Sequence, residues 1–186
     1  MEYMVLQIED DNAGYKTKGE STLAGYDGDI EVLSYSWNVS NPIQASPSNT
    51  GRTTGRPNFG ELVITKKLDA TSPLFAFSCA AAEDLGTVSL VLLRQDQTAG
   101  ADAATNLPYM IYTLSNTLVS SVSVGGAGDI PIETVTLNYA QLGWHYEPQK
   151  LELGDGSDNK SIKGWDLSKN APASVEDDAG AGGDAS

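Results

Sequence analysis

Alternation of apolar and polar residues is the strongest signal in this chain. Between Asp27 and Asn41 (DGDIEVLSYSWNVSN), Leu33, Tyr35, Trp37 and Val39 fall on one side of a period-2 ribbon, and Ser34, Ser36, Asn38 and Ser40 fall on the other. The segment reads as one long strand with an aromatic core face and a wet face of small hydroxyls. The same two-faced pattern returns in Ile132 to Tyr146, where Val135, Leu137 and Tyr139 oppose Thr134, Thr136 and Asn138. Tyr3 to Ile8, Phe59 to Leu68, Thr87 to Arg94 and Leu107 to Val124 are further strand-like runs. In Phe59 to Leu68 the pattern sets Leu62, Ile64 and Leu68 against Glu61, Thr65 and Lys67.

One stretch reads as a helix. Thr71-Ser72-Pro73 is a start signal, because a hydroxyl can accept from an orphan backbone N–H and proline suits the first helical position. Leu74, Phe77, Ala81 and Leu85 then recur at helical spacing, and Gly86 is placed to close the C-terminus. Glu83 and Asp84 fall in the expected last turn, where the helix dipole disfavours negative charge. Long strands with turns between them and a single helix predict a mainly β fold. That fold is an antiparallel β-barrel or two-sheet sandwich with one α-helix packed at its side.

Two segments break the pattern. Pro42 to Pro57 (PIQASPSNTGRTTGRP) shows neither period and is long for a loop. It holds Arg52 and Arg56, two of only three arginines, and reads either as a solvated hairpin tip or as an arm reaching a neighbour's carboxylates. Ala171 to Ser186 contains four acids, no basic residue and no aromatic. Such a composition cannot bury enough apolar surface to fold. The expected division is therefore a folded domain over 1–170 and an acidic, disordered tail over 171–186.

Composition narrows the functions. With 25 acidic against 11 basic residues, the formal net charge is −14, and a field of that sign repels nucleic acid. Cys79 is the only cysteine, so no intrachain disulfide forms, and it reads as a small buried hydrophobe within the helix. His145 is the only histidine and reads as a surface or strand-edge residue; one imidazole leaves little scope for zinc or for a nucleophile–base pair. Gly125-Gly126-Ala127-Gly128 lacks the Lys-Ser/Thr and the helix of a phosphate cradle. Asp155 to Asn159 fails calcium-loop spacing. No catalytic residue, metal site or cofactor is expected. No apolar run reaches the roughly 20 residues of a membrane span, and MEYMVLQIEDD lacks the basic and apolar parts of a Sec signal.

The residues also carry a family resemblance. Ile30-Glu31-Val32-Leu33-Ser34-Tyr35-Ser36-Trp37, Lys18-Gly19-Glu20-Ser21 and Ile64-Thr65-Lys66-Lys67-Leu68-Asp69 with Thr71-Ser72-Pro73-Leu74 resemble the Hcp (haemolysin-coregulated protein) family of type VI secretion systems. So do Leu118-Val119-Ser120-Ser121-Val122-Ser123 with Gly125-Gly126, and Glu133-Thr134-Val135-Thr136-Leu137-Asn138-Tyr139-Ala140. Tyr146-Glu147-Pro148-Gln149-Lys150 and Gly164-Trp165-Asp166-Leu167 complete the series, in the family's order.

The resemblance implies a structural tube protein, not an enzyme. Its subunits form hexameric rings that stack into a tube inside a contractile sheath, with a spike protein at the tip and effector proteins in the lumen. It implies assembly in the bacterial cytoplasm, then secretion without a Sec signal. On this reading Ser34, Ser36 and Asn38 face the lumen and its cargo. Arg52 and Arg56 pair with acids across a subunit or ring boundary, Glu83 and Asp84 being the candidates. The alternative is a tube subunit of a related contractile injection particle or phage tail. A monomeric ligand-binding barrel is the reading from a different class.

Overall fold

The computed structural model describes residues 2–9, 18–44, 53–96, 105–126, 128, 130–148 and 160–174. The first strands are β1 (Glu2–Glu9), β2 (Thr22–Leu23), β3 (Tyr26–Asp27), β4 (Ile30–Glu31) and β5 (Ser34–Ser36). Then come β6 (Val39–Ser40), β7 (Ile43–Gln44), β8 (Thr53–Thr54), β9 (Asn58–Phe59), β10 (Leu62–Lys67) and the helix α1 (Ser72–Ala81). After it run β11 (Thr87–Asp96), β12 (Thr105–Ser115), β13 (Leu118–Gly125), β14 (Ile132–Asn138), β15 (Gln141–Tyr146), β16 (Ser161–Asp166) and β17 (Ala171–Pro172). Among the described residues no helix is long and apolar enough to cross a membrane.

Two antiparallel sheets hold the core. One has seven strands in the order β17-β16-β15-β12-β11-β1-β4, the other four in the order β13-β14-β10-β5. On the inner face of the larger sheet Leu6, Leu90, Tyr112 and Trp144 form one cross-strand row. Leu62, Ile64, Val135 and Leu137 meet them from the smaller sheet, each no more than 1% exposed. Each such aliphatic side chain contributes about 1.5–3 kcal/mol on burial. The fold is mainly β with a single helix, in keeping with the barrel or sandwich read from the alternation.

The long runs of alternation do not remain single strands, because each turns a corner between the sheets. In the Asp27 to Asn41 segment, Val32 N–H donates to Met4 O in the larger sheet at 3.0 Å, and Leu33 N–H donates to Thr65 O in the smaller one at 2.7 Å. The alternation slips there: Ile30 and Val32 are buried, Leu33 is 43% exposed, and Tyr35 and Trp37 return to the core as half-buried residues. Val39 lies beyond the corner and is exposed, so Leu33 and Val39 are not core residues. Leu107 to Val124 breaks at Asn116, whose positive φ of 52° turns β12 into β13. Ile132 to Tyr146 breaks at Tyr139-Ala140, with Ala140 N–H donating to Ser115 O at 3.1 Å.

The helix starts where Thr71-Ser72-Pro73 announces it, with a different buried face. Phe75 and Ser78 are buried, whereas Phe77 is 57% exposed and Leu74 half-buried. The helix ends at Ala82, which is left-handed at φ 52°. Glu83 and Asp84 thus stand outside it, and the expected conflict with the helix dipole does not arise. Gly86 belongs to the next turn, its N–H donating to Asp84 Oδ1 at 2.8 Å. His145 is another correction: it is 6% exposed, on the outer face of the larger sheet between Ile111 and Ile162. Cys79 is half-buried against the core. Ala171–Pro172, inside the segment expected to be disordered, pairs with Trp165 and Asp166; residues 175–186 lie outside the described residues.

Candidate interaction surfaces

The outer face of the four-stranded sheet is built almost entirely from small hydroxyl residues. Strand pairing aligns Ser34, Thr65, Thr134 and Ser123 in one cross-strand row. The next row is Ser36, Val63, Thr136 and Ser121. Ser34, Ser36 and Asn38 are exposed, as the alternation predicts. Threonine favours strands through its branched Cβ, and serine adds a hydroxyl with little bulk. The result is a smooth wall that offers hydrogen bonds without deep pockets or fixed charge. At one end it is bounded by Asn138 Nδ2 donating to Glu61 Oε1 at 3.0 Å, and at the other by exposed Lys67.

The described parts of the segment expected to lack regular structure belong to a β-ribbon. Val39 pairs with Phe59, Ser40 with Asn58, Ile43 with Thr54 and Gln44 with Thr53. Its sparse apolar content hid the ladder, because a two-stranded arm has no core face to alternate against. At its root Gly60 N–H donates to Asn38 O at 2.8 Å, and a Cβ at Gly60 would collide with the Asn38 side chain. The root is locked by an aromatic stack. Trp37 packs edge-on against Trp144 at 5.6 Å, and Phe59 lies flat between Trp144 and Trp165 at 6.3 and 6.4 Å. Trp37 Nε1 donates to Tyr139 Oη at 2.6 Å, and that hydroxyl donates to Gly60 O at 2.7 Å. Burial raises the Tyr139 pKa, against the lowering effect of the Trp37 hydrogen bond. In the same cluster burial, then the Tyr35 hydrogen bond, pushes Tyr112 up to about 12.

Arg56 leaves this root and donates to Leu167 O at 2.5 Å across a shallow groove shared with Phe59, Trp165 and Asn170. Arg52 lies outside the described residues. Asp84 is engaged by Gly86 and by a bridge to Leu118. Arg56 is not brought to Glu83 or Asp84 within one chain; its hydrogen-bond partner is Leu167 O.

A buried charge cluster lies under the helix N-terminus. Lys66 lies on the core side of β10, fully buried, while Leu68 is 41% exposed. Lys66 Nζ sits 2.6 Å from both Asp69 Oδ1 and Glu133 Oε1, and Glu133 is also fully buried. Ser72 Oγ donates to Glu133 Oε1 at 2.7 Å, and Asp69 Oδ1 accepts from Thr71 N–H and Oγ1 at 2.8 and 2.5 Å. Thr71 therefore hands its hydroxyl to Asp69 instead of capping the helix itself. One cation faces two carboxylates here, and the positive end of the helix offsets the excess negative charge. Only the period-2 parity of Leu62, Ile64 and Lys66 signalled the buried lysine.

A polar trough of about 270 Å³ on the back of the larger sheet is lined by Ser89, Thr113, Gly143 and neighbours. Among the described residues no three His, Cys, Asp or Glu side chains are grouped to hold a metal ion.

Comparison with known proteins places this architecture. Residues 5–146 match the family model for the type VI secretion system effector Hcp. Protein hcp1 of Pseudomonas aeruginosa is 34% identical over 119 residues, covering 62% of this chain and 68% of the relative. A type six secretion system protein of known structure superposes with a TM-score of 0.76 at 25% identity, over 92% of this chain and 99% of that one. Hcp1 from Salmonella typhimurium shares the fold at a TM-score of 0.66 and 22% identity, again over 92% and 99%. Two sheets joined at corners, one side helix, a ribbon arm and a family match across most of the chain lead to one assignment: the chain belongs to the Hcp family of type VI secretion proteins.

Proposed function

We propose that this chain is the subunit of a secretion tube, closing into six-membered rings whose lumen is lined by the hydroxyl face. The observation that carries the reading is the pair of cross-strand rows through Ser34 and Ser36. A conduit wall must hold a polypeptide and then release it. Dispersed, solvated hydroxyls do this better than an apolar groove or a charged one, which bind tightly or select by sign. Ser36 sits at mid-wall and is the contact residue for effector cargo.

The rings stack inside a contractile sheath, are capped by a spike protein, and leave the cell without a Sec signal. Chemistry plays no part in this role. Arg52 and Arg56 join the ribbon to carboxylates of a neighbouring copy, with Glu83 and Asp84 as partners. Negative-stain imaging of the purified protein tests the reading: six-fold rings with an open centre are expected, and a monomer at all concentrations would overturn it. Within such rings, Ser36→Gln is expected to reduce cargo retention while leaving the ring intact.

A further inference from the structure

The hairpin β2–β3 belongs to neither sheet of the core; it is a two-stranded unit of its own, carried in the segment from Lys18 to Asp29. This strap lies on the outer face of the larger sheet, turned away from the hydroxyl wall. There Leu23 and Tyr26 pack, with Tyr3 and Ile111, over Val5, Val91 and Leu93, which are 1%, 3% and 0% exposed. Those three form an apolar cluster separate from the main core, and the strap helps to close it from water.

The strap is bonded within itself. Gly19 N–H donates to Gly28 O at 2.6 Å, Gly28 N–H to Ser21 O at 2.9 Å and Ser21 N–H to Asp29 O at 3.0 Å. Gly19 passes so close to Asp29 that a Cβ on it would stand 2.1 Å from the Asp29 carbonyl oxygen. Among the described residues, side-chain bonds tie the strap to the body at its tip and at its base. Asn106 Nδ2 donates to Ala24 O at 3.3 Å, and Gln7 Nε2 donates to Asp29 Oδ2 at 2.8 Å. A unit closed on itself and held by few ties can open while the sheets stay intact.

Asp29, at the base, is half-buried among other acids. Asp27 and Tyr26 face it from the strap. Glu31 and Glu9 lie two residues along the same face from Asp29 and from Gln7. Lys18 is the basic residue at this end, its stem beside Gly28. A charged Asp29 therefore gains by returning to water, whereas a protonated one loses little by staying closed.

We propose that residues 18–29 open as a unit off Val5, Val91 and Leu93, and that the Asp29 carboxyl sets how readily they do so. Because burial raises the Asp29 pKa, the closed strap holds the proton more tightly than the open one. Opening then increases as pH rises from 3.8, by at most about tenfold per pH unit for one proton, and levels off above the closed-state value. The chain thus hides an apolar seat in acid and yields it at neutral pH. This device stands apart from the tube reading and does not rest on it.

Amide hydrogen exchange on the full chain, expressed as protection relative to an unstructured peptide, tests the proposal. At neutral pH Asp29→Asn, which keeps an acceptor for Gln7, is expected to raise protection severalfold across residues 19–29 and to leave β10 and β14 unchanged. The gap is expected to narrow as pH falls toward 3.8. Leu23→Ala weakens the cover without touching charge. It is expected to lower strap protection about tenfold at every pH, again sparing β10 and β14. Strap amides that share the protection of β10 and β14 in all three proteins would overturn the opening unit. Equal strap protection in the wild type and Asp29→Asn at neutral pH would overturn the role of Asp29.

Discussion

Removing the ammonium of Lys66 would leave two carboxylates, Asp69 and Glu133, gathered on one point without a cation in a site closed to water. Breaking a buried pair from one side is costly because the surviving charge stays desolvated, so Lys66→Met is expected to lose about 3–5 kcal/mol. Replacing Lys66→Met together with Glu133→Leu removes the fully buried pair and leaves only Asp69, which still accepts from Thr71 N–H and Oγ1, so it is expected to recover most of that loss. Urea unfolding at fixed protein concentration checks both, and a single variant costing under about 1 kcal/mol would show that the pair behaves like a solvated one. One oxygen, Glu133 Oε2, has no hydrogen-bond partner among the described residues, which makes Glu133 the more expendable of the two. Asp29 gives the opposite kind of prediction. Burial raises its pKa and nearby Asp27 adds to the rise, against the Gln7 hydrogen bond at 2.8 Å. Because the folded value lies above the ordinary 3.8, this group's contribution to stability is complete below 3.8 and is lost as pH rises through the folded value. Asp29→Asn keeps an acceptor for Gln7, so it is expected to raise the thermal midpoint at neutral pH. The two proteins are expected to converge below pH 3.8.

At the level of elements, period-2 alternation identified the β runs and the wet face, because side-chain parity is a local property. It carried no information on where a strand changes sheets. The partner exchange at Val32-Leu33, the left-handed Asn116 and the turn at Tyr139-Ala140 are decided by long-range packing. Hence three runs that read as continuous strands are each divided between different sheets. Lys66 shows the limit from the other side: parity placed it inward, and only the tertiary cluster of Asp69, Ser72 and Glu133 makes that tolerable. Sheet and wall were legible in the sequence; the ribbon was not, because Ser40 with Asn58 and Gln44 with Thr53 interrupt its ladder with polar pairs that leave no alternation to read. The helix start was also legible, but its phase was not, since Ser78 is buried and Phe77 exposed. Its end holds an alanine at φ 52°, a conformation in which Cβ is strained and glycine is not. Ala82→Gly is therefore expected to stabilise the protein by about 0.5–1 kcal/mol. Calorimetry would show the rise in midpoint, and a fall would mean that Ala82 makes a contact worth more than the strain.

Across the whole molecule, a formal charge of −14 sets copies against one another, while burial of exposed apolar residues would favour their contact. Only the first of these depends on screening, so ionic strength separates them. Raising it from about 0.01 M to about 0.15 M shortens the screening length from about 30 Å to about 8 Å. Repulsion between acidic bodies acts over tens of ångströms and is largely lost. Burial of Leu33, Leu68, Val124 and Ile132 does not depend on screening. If the proposed rings form and stack through apolar contact, stacks counted by electron microscopy are expected to lengthen over this range. If ion pairs from Arg56 to Glu83 or Asp84 carried the contact instead, the same added salt would shorten the stacks, because exposed pairs contribute only about 0–1 kcal/mol each and weaken with screening. Arg56→Gln sharpens the comparison. It removes the pairing charge and leaves those four apolar side chains untouched, so lengthening with salt should persist in that variant, and its disappearance would transfer the contact from them to the arginine.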